Sequence, residues 1–448
     1  MAATIQLHSA GERRRALWAS LIGTSVEFYD FFIYATAASL YFGPLFFPAE
    51  SPAAQLLAAY ASLALAFFAR PVGAIVFGHF GDRIGRKATL VASLLLMGIS
   101  TFLIAFLPTH AEIGWWAALL LCMLRLGQGL GLGGEWGGAS LLAVENAPKG
   151  WRGRYGIVPP LGAPIGFITA SGAFLALELF LTTEQMQAWG WRIPFLGSAL
   201  LVVIGLWVRL KLAETPAFAE VLKKGPPESL PLTSVLRNHP GVTIFGMLGG
   251  VACFAAFYMA TAFLLGYGTL TLGYSRNMFL MAQIGGVIFM AVGIILSGIY
   301  SDRFSPRAVL IFGCLTIALL AGPLMAPMME SGSIFMVFLY LSLVLLCMGL
   351  AYGPLGAWLP GLFPARVRYT GVSLAFNFAT IVGGGLAPYF AQTLAQDGGI
   401  FPVGLYLSAC GVVSLLALLL TNSGRAAERW QDNAQGAGAE AMPDAQGQ

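Results

Sequence analysis

The sequence predicts an all-α membrane protein, with twelve transmembrane helices arranged as two pseudo-symmetric six-helix bundles. Composition is the first reason: of 448 residues 58% are hydrophobic and only 10% charged, with a mean hydropathy of +0.78. That leaves too little polar surface to cover a water-soluble globule. An internal repeat is the second. Gly78 to Leu90 reads GHFGDRIGRKATL, and a damaged copy, GIYSDRFSPRAVL, returns 220 residues later at Gly298 to Leu310. Asp82 and Arg83 thus fall in register with Asp302 and Arg303, and Pro148 with Arg152 reappears as Pro364 with Arg368. Self-similarity at half the chain length, in halves dominated by apolar spans, is the usual sign of a transporter built from two repeats around a central site. The third reason is the span count, taking about 20 apolar residues per crossing.

In order, the spans fall at 16–42, 54–80, 88–107, 113–138, 155–178 and 190–211, then at 240–268, 278–300, 308–327, 333–356, 370–394 and 400–420. The first follows Arg13, Arg14 and Arg15 but is too long for a signal peptide and carries Glu27 and Asp30, so it stays as a span. Residues 1–211 form the N-terminal bundle and 240–421 the C-terminal one. Residues 212–239, with Pro216, Pro226, Pro227, Pro231, Lys223 and Lys224, form a cytoplasmic linker with short amphipathic helices. The tail, 422–448, is poor in large apolar side chains and is expected to be disordered. Placing the N-terminus inside puts 20 of the 24 Lys and Arg residues on the cytoplasmic side, which predicts that both termini are cytoplasmic. The five cysteines sit singly in apolar runs and read as packing residues.

An ionisable residue at mid-span costs roughly 2.5–3.5 kcal/mol, so it persists mainly where it is paired, wet or functional. Glu27, Asp30, Arg70, Arg125 and Glu135 are such residues, all in the first half. Glu27 and Asp30 lie three apart on one helix face, continued by Tyr34. Two carboxylates about 6 Å apart repel by roughly 3 kcal/mol, and such a pair can carry a proton. The bland alternative is that each acid is held by Arg70 or Arg125 for assembly alone. Arg125, with Gln128 one turn on, lies near the expected midplane, where its planar fork of donors suits a carboxylate; Arg70 lies deeper, before Pro71. The second half offers polar and aromatic groups instead, Tyr258 and Tyr352 among them. Gly129, Gly133 and Gly137, four apart, fit close helix packing in lipid. In the hairpin Asp82 is the acid among Arg83, Arg86 and Lys87, placed to latch onto the positive N-terminal end of a neighbouring helix. The cations enforce topology. In the second copy Ser305 and Pro306 replace Gly85 and Arg86, which counts against a latch at Asp302 and Arg303. No HExxH, P-loop or GxSxG is present, so no enzyme, metal, nucleotide cofactor or nucleic-acid partner is expected.

GHFGDRIGRK resembles the signature loop of the major facilitator superfamily. SVEFYDFFIYATAA, FFARPVGAIVFGHFGDRIGRKATL, RLGQGLGLGGEWGGASLLAVENAP and LFPARVRYTGVSLAFN are similar to its metabolite:proton symporter family, the first-half motifs standing nearest the shikimate carriers. The resemblance implies the major facilitator fold and proton symport by alternating access, in which spans one, four, seven and ten line the cavity. Expected site residues are then Glu27 and Asp30 for the proton, and Arg125, Arg70, Gln128, Tyr34, Tyr258 and Tyr352 for the substrate. Asp82, Arg83, Arg86, Asp302 and Arg303 would form the cytoplasmic gate. One firm cation suits a monocarboxylate such as shikimate, or a zwitterion, better than citrate. A proton-driven exporter and a non-transporting nutrient sensor are the alternatives. The coupling ion is H+, the partners are substrate and lipid, and a monomer is expected to suffice.

Overall fold

The computed structural model describes residues 10–421 except 85, 134, 146, 149, 212–230 and 365–366. All twelve apolar segments are helical. In the first half α1 runs Ala10–Ala37, α2 Pro52–Ile84, α3 Arg86–Ile104, α4 Trp115–Leu132 with Glu135–Glu145 following it, α5 Val158–Phe180 and α6 Arg192–Lys211. The second half holds α7 Pro240–Leu270, α8 Arg276–Arg303, α9 Pro306–Met329, α10 Ile334–Leu362, α11 Arg368–Gly398 and α12 Ile400–Leu420. Among the described residues, length and apolarity alone mark nine helices as able to cross a membrane, and ten if the bent pair Thr183–Gly190 and Arg192–Trp207 is one span. Two expected spans fall short for visible reasons. Glu27 and Asp30 interrupt α1, and the side chains of α3 are described only from Val91, which leaves Val91–Ile104 as a shorter apolar helix.

The two halves pack by one plan. α1 lies against α5 and α6, α2 against α4, and α3 against α4 and α6; α7 lies against α11 and α12, α8 against α10, and α9 against α10 and α12. Each contact in the first half reappears six helices later. Between the halves α2 meets α11 and α5 meets α8, which the same shift exchanges. Glycines set the closest approaches: a Cβ on Gly129 of α4 would come within 2.1 Å of the Ala66 carbonyl oxygen on α2, and one on Gly349 of α10 within 2.3 Å of the Met290 carbonyl oxygen on α8. Gly133 likewise faces the Arg70 carbonyl at 2.1 Å, whereas Gly137 faces Ser373 of the other half. One pair of wide, π-type turns follows the repeat too, Ala38–Phe42 closing α1 and Met259–Phe263 lying within α7.

Between the bundles Pro231–Asn238 is helical; the rest of the linker and the tail lie outside the described residues. So do the side chains of 78–90, hence the expected gate residues Asp82, Arg83 and Arg86. The end of the molecule bearing this connection is called the hairpin end below.

Candidate functional site: a closed cavity between the halves

A cavity of about 20 Å³ lies where the halves meet, walled by Glu27 of α1, Arg70 of α2, Trp136, Tyr258 of α7, and Phe376 and Asn377 of α11. That is room for roughly one water. Any metabolite must part these walls to enter. Trp136 and Phe376 stack across the halves with ring centroids 3.7 Å apart, and Asn377 donates its amide to the Gly133 carbonyl at 2.9 Å. α11 therefore contributes more of the wall than α10, whose Tyr352 sits behind it with its ring against Phe254.

The two arginines have different surroundings. Arg125 is fully buried: its guanidinium donates to Gln128 Oε1 at 2.6 Å and to the Leu63 carbonyl at 3.1 Å, and lies 3.7 Å over the Tyr34 ring. Gln128 passes the chain on to Thr101 at 2.6 Å, and Tyr34 bonds Ser62 at 2.7 Å. Arg125, Gln128 and Tyr34 thus tie α1, α2, α3 and α4 together behind the cavity. Arg70 faces the cavity itself, with its guanidinium carbon 4.7 Å from the Phe31 centroid and no hydrogen-bond partner at Nε. Phe31 also lies 5.0 Å from the Arg125 guanidinium, so one aromatic ring serves two cations.

Glu27 and Asp30 point different ways. Three residues turn a helix through about 300°, leaving their side chains some 60° apart, enough to divide them between the cavity and a helix interface. Glu27 lines the cavity within electrostatic reach of Arg70. Asp30 is 1% exposed and faces the Ser198 hydroxyl of α6. Its neighbour Tyr29 fixes α1 to α6 by donating to the Pro194 carbonyl at 2.8 Å.

Both ends of the cavity are closed by contacts between the halves. At the hairpin end Asp302 Oδ1 accepts from the Gly153 N–H at 2.6 Å, and its Oδ2 accepts from the Arg154 N–H at 3.2 Å and pairs with Arg154 Nε at 3.4 Å. These N–H groups open the helical turn Arg152–Gly156, so the carboxylate of one half sits on the positive helix end of the other. Ser305 and Pro306 do not interfere, because the carboxylate alone makes the contact; Arg303 is exposed and lies over Phe304. Ser140 donates to the Gly356 carbonyl at 2.8 Å nearby. At the opposite end Tyr60 and Ser39 both donate to the Ala262 carbonyl, at 2.8 and 3.1 Å. Glu178 of α5 accepts a hydrogen bond from Tyr41 and pairs with Arg276 of α8 at 3.9 Å. Sequence reasoning passed over Glu178, although its partner Arg276 is one of the four Lys and Arg residues outside the cytoplasmic set.

Two repeated bundles enclosing a charged cavity that is shut at both ends define a membrane transporter. The profile of the sugar (and other) transporter family matches residues 16–243, and the chain belongs to that family, within the major facilitator superfamily; it is a metabolite transporter and not an enzyme. It is 49% identical to the inner membrane metabolite transport protein YhjE of Escherichia coli K12, over 92% of this chain and 95% of that protein. Identity is 36% to the E. coli K12 shikimate transporter, covering 93% and 97%, and 31% to the proline/betaine transporter of Salmonella typhimurium, covering 91% and 83%. In fold it is similar to the proton:xylose symporter XylE bound to 6-bromo-6-deoxy-D-glucose, with a TM-score of 0.72 at 16% identity over 92% of this chain and 95% of that one.

Proposed function

We propose that this protein is a proton-coupled importer of a small organic acid or zwitterion, working as a monomer by alternating access in a bacterial inner membrane with both termini in the cytoplasm. The observation that carries the reading is the closed cavity holding both Arg70 and Glu27. Arg70 takes the substrate carboxylate, its planar fork matching two oxygens, and Arg125 adds positive field from behind while holding the first-half helices in register. Binding an anion beside Glu27 is unfavourable in a dry site unless a proton accompanies it, which links the two cargoes. Asp30 serves as a second proton position: the neutral acid is buried at little cost between α1 and α6, whereas its anion there faces the Ser198 hydroxyl and the Glu27 carboxylate. The hairpin-end contacts at Asp302 and the Glu178–Arg276 pair open in turn, one end at a time.

The relatives named for shikimate and for proline and betaine bracket the substrate class. The test is uptake into proteoliposomes under an imposed pH gradient, acid outside, with shikimate, citrate, proline and glycine betaine. Accumulation of a carboxylate-bearing solute that collapses when the gradient is dissipated is the expected result. Uptake unaffected by the gradient removes proton coupling, and outward pumping under the same gradient reverses the direction.

A further inference from the structure

Arg70 reaches the cavity out of a corner made of aromatic rings. Phe67 lies one turn before it on α2, hence on the same face, with its ring centroid 5.0 Å from the guanidinium carbon. Phe31 of α1, one turn beyond Glu27, comes to 4.7 Å. These two rings meet edge to face, 5.0 Å apart and at 75°. Tyr258 of α7 stands at 80° to Phe31 and 89° to Phe67, with centroids 5.9 and 5.2 Å away. Three buried rings from three helices are thus mutually near-perpendicular, like the inner corner of a box. Behind them α11 presses bare backbone: a Cβ on Gly384 would come within 2.9 Å of the Tyr258 ring, and one on Gly385 within 2.9 Å of the Phe67 ring.

We infer that Phe31 and Phe67 are positioning residues for the substrate: they hold the Arg70 guanidinium so that its donors face the cavity, and Tyr258 braces both rings from the other half. The inference rests on the proposed carboxylate site at Arg70. A guanidinium is a flat, weakly hydrated cation drawn to ring faces, and it grips a carboxylate with two parallel bonds only when its plane points the right way. An arginine side chain is long and loses much rotamer freedom when ordered. One ring face would let the cation slide; two rings nearly at right angles fix it in two directions and leave the cavity side open. The ordering is then done before the ligand arrives, and binding no longer bears it. Phe31 is shared with Arg125, 5.0 Å away, so Phe67 is the ring that serves Arg70 from its own helix. Because Tyr258, Gly384 and Gly385 belong to the second half, the rings are braced only where the halves meet, which ties the aim of the fork to closure.

The experiment is titration calorimetry on the purified full-length protein with shikimate, proline and glycine betaine as probes, the one that wild type binds most tightly being carried through the variants. Phe67→Leu keeps an apolar side chain and removes the ring face. A trifluorinated phenylalanine at position 67 keeps the outline of the ring and draws charge from its face. The first is expected to weaken the probe about ten-fold and the second about three-fold. In Arg70→Lys, whose compact ammonium has no fork to aim, Phe67→Leu is expected to cost less than about two-fold further, because the two residues act through one interaction. Undiminished binding in Phe67→Leu overturns the positioning role. So does a loss that persists in full beside Arg70→Lys, or one that the fluorinated ring does not share, since either marks plain packing. Those outcomes leave the carboxylate site standing as long as Arg70→Gln abolishes binding. A wild type that binds none of the probes, or an Arg70→Gln that binds as wild type does, overturns the carboxylate site instead and the positioning role with it.

Discussion

At the scale of single residues, the two buried arginines make opposite demands on a mutational experiment. Arg70 faces the cavity and Arg125 faces its own helices. Arg70→Gln is therefore expected to abolish binding of a carboxylate substrate while shifting the melting temperature in detergent little. Arg125→Gln leaves the Leu63 carbonyl and Gln128 short of partners, at about 1–3 kcal/mol for each buried group orphaned, so its melting temperature falls with expression. A normal melting temperature in Arg125→Gln shows that its network is dispensable. The acids separate by function: Asp30→Asn fixes the neutral form and is expected to abolish pH-driven accumulation while substrate exchange continues, whereas Glu27→Gln also changes the affinity. If Asp30→Asn still concentrates substrate to the wild-type level, the coupled proton sits elsewhere. Much of this site was legible from rarity alone, because few charges occur in the spans. Which arginine meets the cavity was not, since it depends on how helices rotate about their axes, and Trp136 was hidden among glycines that spoke for packing.

At the scale of elements, Asp302 and the turn Arg152–Gly156 form a contact whose energy is mostly a charge on a helix end. Such a contact contributes about 1 kcal/mol, enough to move an open-to-closed balance roughly five-fold and too little to unfold anything. Asp302→Asn is expected to raise the labelling rate of a single cysteine at Ser140, which the closed hairpin end buries, with the overall melting curve unchanged. An unaltered labelling rate excludes Asp302 from the latch. The sequence spoke clearly about the acid and misleadingly about its surroundings: departure of the second hairpin from the first at Ser305 and Pro306 concerns residues that the contact does not use. Glycine spacing was informative at this scale. Gly129 and Gly133 pack on α2 as the period implied, Gly137 instead meets Ser373 of the other half, and Gly349 on α10 makes the corresponding close approach to α8.

At the scale of the whole molecule, the repeated pattern of helix contacts gives the halves one architecture, and the α2–α11 and α5–α8 seams give them two equivalent surfaces on which to rock. Orientation is a separate matter, argued from the distribution of Lys and Arg. Single-cysteine labelling in intact cells should reach Thr182 and Gly332 from outside and Lys223 only after permeabilisation; outside labelling of Lys223 overturns the proposed topology. The fold was legible because hydropathy and repetition are properties of many residues together. The state of the cavity was not, since closure is decided by a few cross-seam contacts, several of them to main-chain atoms with no signature in side-chain chemistry.

One of these main-chain atoms has a consequence for genetics. The Ala262 carbonyl that receives Tyr60 and Ser39 lies in the wide turn Met259–Phe263, where the helix ladder is locally offset. The bolt belongs to side chains and the keeper to the peptide bond. Substitution screens of this protein will recover Tyr60 and Ser39 through loss of their hydroxyls, whereas Ala262, which is fully buried, keeps its oxygen with any small replacement and fails only where a larger side chain overpacks the core. The chemistry of the lock is lost from one side, its packing from the other.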